Sequence, residues 1–202
     1  MTASLVQRAV LLLYLTVAWN VVEGAVAISA GVVAGSIALV GFGLDSFIEV
    51  FAASLLIWRL RVPEGPASER AERRAVFLIG LTFLVLAAYV SAEALFNLIG
   101  DVEAAESAVG IGLAAVSLAV MPALAGLKLR TSRQLGSSSL AAEAKETLAC
   151  SYLSATLLVG LVLNATAGWW WADPAAALAM VPWLVREGAE GLRGEERELQ
   201  SG

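Results

Sequence analysis

The chain has no histidine and a single cysteine, Cys150. Without histidine there is no imidazole zinc site, no Ser-His or Cys-His catalysis and no haem held by histidine. One cysteine forms neither an internal disulfide nor a CxxC metal or redox motif. Charge is sparse as well: 15% of the 202 residues are charged and 59% are hydrophobic, with a mean hydropathy of +0.79. A soluble domain carries about a quarter charged and about half apolar residues. The balance therefore reads as a polytopic membrane protein. No cleavable leader is expected, because the first apolar run is too long and no small-residue cleavage site precedes soluble sequence. There is no GxSxG and no HExxH, and Asp45 is the one aspartate inside a span, so no enzyme is expected here.

Positive charge is also missing from three stretches, residues 29–34, 100–107 and 165–173. Twelve of the thirteen Lys and Arg fall at the N-terminus, in 59–74, in 128–133, or at and beyond the end of the last apolar run. Read with the positive-inside rule, this predicts six spans with both termini cytoplasmic. The expected spans are about 9–28, 35–58, 75–98, 109–127, 138–164 and 174–192. Together they make an all-α six-helix membrane bundle, a single transmembrane domain over 1–195 with a short charged tail, 196–202. The stretch SAGVVAG reads as a turn, and its Gly31 and Gly35 have the spacing for close helix approach. Pro122 is expected to kink the fourth span. The tryptophans of GWWWADP belong at an interface. Asn164-Ala-Thr166 fits a glycosylation sequon at the outer end of a span. The short basic stretches are explained by orientation, and nothing in them suggests nucleic acid.

The second span, GSIALVGFGLDSFIEVFAASLLIW, is long enough to cross a bilayer at about 20 residues per crossing, yet it carries Asp45 and Glu49 near its middle. Four residues apart, the two acids share one helix face. An ionised acid at that depth costs at least a few kcal/mol. A divalent cation answers both charges at once and takes oxygen donors. Glu49 lies ten residues from Arg59, about 15 Å along a helix, or half the hydrocarbon thickness. The fifth span carries a similar pair, Glu146 and Cys150, at a similar depth from the same side. Four ligands at one depth, Asp45, Glu49, Glu146 and Cys150, suit the tetrahedral preference of zinc.

Other intramembrane charges have two readings each. Glu23 is either an interfacial or helix-pairing acid or part of the ion path. Glu93 and Glu143 are possible accessory groups for the ion path or for protons. Lys145 either snorkels, pairs with Glu143 or an acid on another helix, or takes part in transport. Cys150 is either a ligand or a small buried hydrophobe. Ser46 and Thr147 read as groups bonding helix to helix.

Ser36-Ile-Ala-Leu39 and Asp45-Ser-Phe-Ile-Glu49-Val in span two, Ala142-Glu143-Ala-Lys-Glu146-Thr-Leu-Ala-Cys150 in span five, and Asp173-Pro174 before span six resemble the cation diffusion facilitator family. The resemblance implies a divalent-metal exporter, usually for zinc, driven by proton exchange and working as a homodimer. Its setting would be a multi-pass membrane protein of the prokaryotic inner membrane, in contact with lipid. Glu146 and Cys150 stand where the family has His and Asp, which leaves cadmium, manganese, iron and cobalt open beside zinc. The family's cytoplasmic metal-sensing and dimerising domain is expected to be missing, since the residues run only about ten past span six. The other reading is a membrane scaffold or regulator that transports nothing and whose buried acids form a structural network.

Overall fold

The computed structural model describes residues 2–61 and 66–199. Residues 62–65 of the expected polar loop and 200–202 of the expected tail lie outside the described residues. The described residues form the helices α1 (Thr2–Ala34), α2 (Ile37–Arg59), α3 (Pro66–Ile99), α4 (Ala108–Leu135), α5 (Ser138–Ala167) and α6 (Ala172–Leu199), joined by short connections. Three helices begin on serine caps. Ser36, Ser107 and Ser137 each accept a hydrogen bond from the backbone N–H three residues on, which satisfies a donor the helix itself leaves orphaned.

The helices outrun the expected spans. SAGVVAG is not a turn: α1 continues through it to Ala34, and the reversal is made at Gly35 and Ser36. Gly35 takes φ 67° there, in open space, so it serves the turn and not close packing. Gly31 does pack closely, because a Cβ on it would lie 2.9 Å from the Val40 backbone nitrogen of α2. Residues 66–74 are the first turns of α3, and 128–133 are the last turns of α4, where a basic loop was expected. Asn164 is buried and donates to the Ala104 carbonyl at 2.9 Å, so the sequon's amide is not presented for modification.

Five helices are long and apolar enough to cross a membrane, α1 to α5. The sixth does not join them by length and composition. Its apolar part, Pro174–Val185, is twelve residues, about 18 Å against a hydrocarbon core of about 30 Å. Arg186, Glu187, Glu190 and Arg193 then follow on the same helix.

Packing explains the arrangement. α1 lies on α2, α2 on α5, α5 on α4 and α4 on α1, closing a four-helix ring. α3 and α6 pair beside it, α3 against α2 and α6 against both α2 and α5. The shared core includes Leu39, Phe42, Val90, Leu153, Leu157 and Met180. Leu11, Phe51, Val85, Phe96, Leu148 and Val159 point outward instead, as a lipid-facing surface does and a soluble one avoids. α3 and α6 meet at glycines: a Cβ on Gly191 would lie 2.8 Å from Gly80 Cα. With no side chains between them, the two backbones come into contact.

At the end holding the α1–α2 turn, Asp173 of α6 caps α2. It accepts from Ser36 Oγ, from Ile37 N at 3.0 Å and from Ala38 N at 3.4 Å. The carboxylate meets the positive end of the α2 dipole. The Asp-Pro that opens α6 thus fixes where α2 starts.

Candidate metal centre

Asp45 and Glu49 sit mid-way along α2, the helix that touches α1, α3, α5 and α6. Their shared face meets α5 at Cys150. One ligand atom from each of Asp45, Glu49 and Cys150 lies within 4.8 Å of the others, and all three residues are buried. Among the described residues this is the group of acids and cysteine close enough to share one ion. Two carboxylates and a sulfur, converging from two helices in an apolar interior, are a donor set for a divalent cation.

Glu146, the fourth expected ligand, is placed apart from these three. One turn before Cys150 on α5, it is half-buried and lines a cleft of about 320 Å³ between α2, α3, α5 and α6. Arg59, Glu143, Glu187 and Glu190 share its wall. The cleft lies at the arginine-rich end of the bundle, where α2 finishes at Arg59. Glu187 and Glu190 were not among the expected site residues. Their signal was the i, i+3 spacing of two acids in a span that should have been apolar. Their position follows from the glycine contact of α3 with α6, since Gly80 and Gly191 line the same cleft.

α1 adds two buried polar residues beside the cluster. Glu23 is fully buried and accepts from Trp19 Nε1 and from Ser46 Oγ, each at 3.1 Å. It bonds across to α2 next to Asp45, as a helix-pairing acid does. Ser46 is the helix-to-helix group its sequence position suggested. Asn20 is also fully buried, and its Nδ2 donates to Glu49 Oε2 at 2.6 Å. Asn20 could have been suspected from its place in an apolar span three residues before Glu23.

The lysines exchange their expected roles. Lys128 is not in a basic loop but inside α4, fully buried, and donates to Glu143 Oε1 and Thr147 Oγ1, both at 2.8 Å. Lys145 is exposed on α5, and the lysine bonded to Glu143 is Lys128. The hairpin carries the reason: α4 and α5 run antiparallel about Gly136 and Ser137, which brings 128 level with 143–147. Lys145 lies on that level too, but on the opposite face of its helix. Glu93 is exposed on α3 and forms no part of the cluster or the cleft.

Residues 13–193 match the family model for the cation efflux transmembrane domain. The chain is also 26% identical over 160 residues to an uncharacterized transporter of Synechocystis sp., a match covering 76% of this chain and 52% of the relative. The chain thus spans about half the length of that curated relative.

Proposed function

The chain belongs to the cation efflux family, and we propose that it carries a divalent metal cation across a membrane through the Asp45–Glu49–Cys150 cluster. The family is one of transporters, not enzymes. The observation that carries this reading is the convergence of two carboxylates and one sulfur, buried and within 4.8 Å of one another. Zinc is the first candidate, because a thiolate favours a softer ion over magnesium or calcium. Cadmium, manganese, iron and cobalt are the further candidates. Glu146 serves as the ligand that takes the ion from the cleft, with Glu187 and Glu190 drawing cations into it.

All six helices cross the membrane, with both termini cytoplasmic. α6 can do so because Glu187 and Glu190 line the cleft and Arg186 pairs with Glu190 at 2.8 Å, a charged end that reaches toward the membrane surface. The cleft is then the cytoplasmic entrance. Metal binds when the acids are ionised and leaves when protons replace it, so efflux is coupled to proton entry. Glu23, buried beside Ser46, is the accessory acid best placed to hold a proton near the cluster. The bundle rocks about the fixed site to expose it in alternation. The family resemblance supports a homodimer, and the Synechocystis relative supports a prokaryotic inner membrane.

A scaffold reading would have its buried acids paired with a lysine or protonated. Lys128 is bonded to Glu143 and Thr147, and Lys145 is exposed, so neither lysine is bonded to Asp45 or Glu49. The deciding experiment is metal flux into proteoliposomes carrying a pH gradient, with zinc, cadmium, manganese and iron in parallel. Wild type is expected to move at least one of them against a proton flux, and Asp45→Ala to move none. Flux that is unchanged in Asp45→Ala, or absent from wild type, refutes the reading.

A further inference from the structure

We propose that the side-chain oxygen of Asn20 is a further donor to the transported cation, so that three helices and not two hold the ion. This rests on the transport reading above and names one more residue of the same site. Asn20 is fully buried in α1, and its Nδ2 donates to Glu49 Oε2 at 2.6 Å. Its Oδ1 is buried and accepts no hydrogen bond among the described residues. A buried polar atom left without a partner costs about 1–3 kcal/mol. An orphan of this kind needs an explanation, and service as a cation ligand is one of the few available.

The geometry points to an ion. The two amide heteroatoms lie about 2.2 Å apart on one carbon. Oδ1 therefore lies within about 5 Å of Glu49 Oε2, whose carboxylate belongs to the cluster with Asp45 and Cys150. With Glu49 ionised, as in the metal-bound site, the bond from Nδ2 to Glu49 sets which way round the amide sits, because the reverse would set oxygen against oxygen. A cluster of three donors is one short of zinc's usual four, and Glu146 stands outside it, on the wall of the cleft.

Charge favours an amide in that place. Asp45, Glu49 and a Cys150 thiolate already outweigh a divalent ion, and a third buried carboxylate would add still more negative charge in an apolar interior. A neutral oxygen completes the shell without that cost. It also ties α1 to the ion, so that filling the site draws α1, α2 and α5 together.

The test is zinc affinity of the full chain in detergent, read by competition with a chromophoric chelator. The variants are Asn20→Leu, Asn20→Asp and, as a control, Asp45→Ala. Asn20→Leu removes the oxygen and is expected to weaken zinc binding at least about tenfold. Asn20→Asp keeps an oxygen but loses the N–H that Glu49 accepts. With an oxygen kept but a charge added, it is expected to bind more weakly than wild type and more tightly than Asn20→Leu. If Asn20→Leu binds like wild type, or Asn20→Asp is as weak as Asn20→Leu, the oxygen is not a donor and the proposal falls. Should Asn20→Leu fail to fold, Asn20→Ala takes its place, with the same loss expected and binding like wild type overturning the proposal. If wild type binds neither zinc nor, in the same assay, cadmium or manganese, or if Asp45→Ala binds zinc as well as wild type does, the transport reading itself is overturned. Loss in Asp45→Ala alone overturns only the role of Asn20.

Discussion

Lys128 Nζ lies 2.8 Å from Glu143 Oε1, and the lysine is completely buried between α4 and α5. Removing one member of a buried ion pair leaves the other uncompensated, which costs about 3–5 kcal/mol. Lys128→Met is therefore expected to destabilise the bundle by about that much. The double variant Lys128→Met with Glu143→Leu is expected to recover most of the loss. Denaturant or thermal unfolding in micelles measures both. A single variant as stable as wild type would mean that the pair contributes nothing to the fold.

Cys150 supplies the only sulfur in the cluster, and the donor type bears on the metal. Cys150→Ser keeps the size and a weak oxygen donor but removes the soft ligand. The preference for cadmium over manganese is expected to fall at least about tenfold, since soft donors select soft ions. Parallel competition titrations of the two metals measure the ratio. An unchanged ratio would place Cys150 in the core and not in the site.

The crossing of α3 and α6 depends on glycine, and space is the reason. A methyl group on Gly191 would meet Gly80 Cα, a backbone atom that cannot swing aside. Gly191→Ala is expected to cost about 1–3 kcal/mol, as overpacking does. Gly112→Ala is the control, because a Cβ there meets nothing within 4 Å. Both changes are read as shifts in the thermal midpoint. Equal midpoints for the two variants would show that the helices separate freely at Gly191.

Asp173 accepts from two backbone N–H groups and from Ser36 at the start of α2. Asp173→Ala is expected to lose about 1–2 kcal/mol, the range for a lost cap. Asp173→Asn keeps an acceptor and is expected to lose less. Zinc affinity at the cluster, a little over two helical turns further along α2, is expected to change little in either. Unfolding midpoints and chelator competition separate the two effects. A large fall in affinity with no fall in stability would move Asp173 from the fold into the site.

Much of the site was legible along the chain. The pairs Asp45–Glu49 and Glu146–Cys150 stand four residues apart in apolar runs, and helical periodicity alone puts each pair on one face. Their equal depth followed from counting residues at a fixed rise. Which of the four would meet was not legible. Periodicity fixes a face to within a helix rotation, and α5 is rotated so that Cys150 reaches α2 while Glu146 lines the cleft. The charged residues misled for a related reason. Lys128 looked like the head of a loop because the apolar run ends there, yet α4 continues to Leu135. Lys145 could have snorkelled or paired with Glu143; it faces outward, and Lys128 takes Glu143.

By itself the sequence determined the class of the protein and the chemistry at its middle. Composition required a membrane bundle, the missing histidine removed the commonest metal ligand, and two acids four residues apart in an apolar helix required a partner. These conclusions rest on local quantities: hydropathy over a run, and spacing along a helix. Tertiary structure alone decided the rest. It joined Asn20 to Glu49, Lys128 to Glu143 and Asp173 to the start of α2. It also gathered Glu146, Glu187 and Glu190 along one cleft. Each of these depends on how helices far apart in the chain are rotated and how closely they pack, and no single helix carries that information.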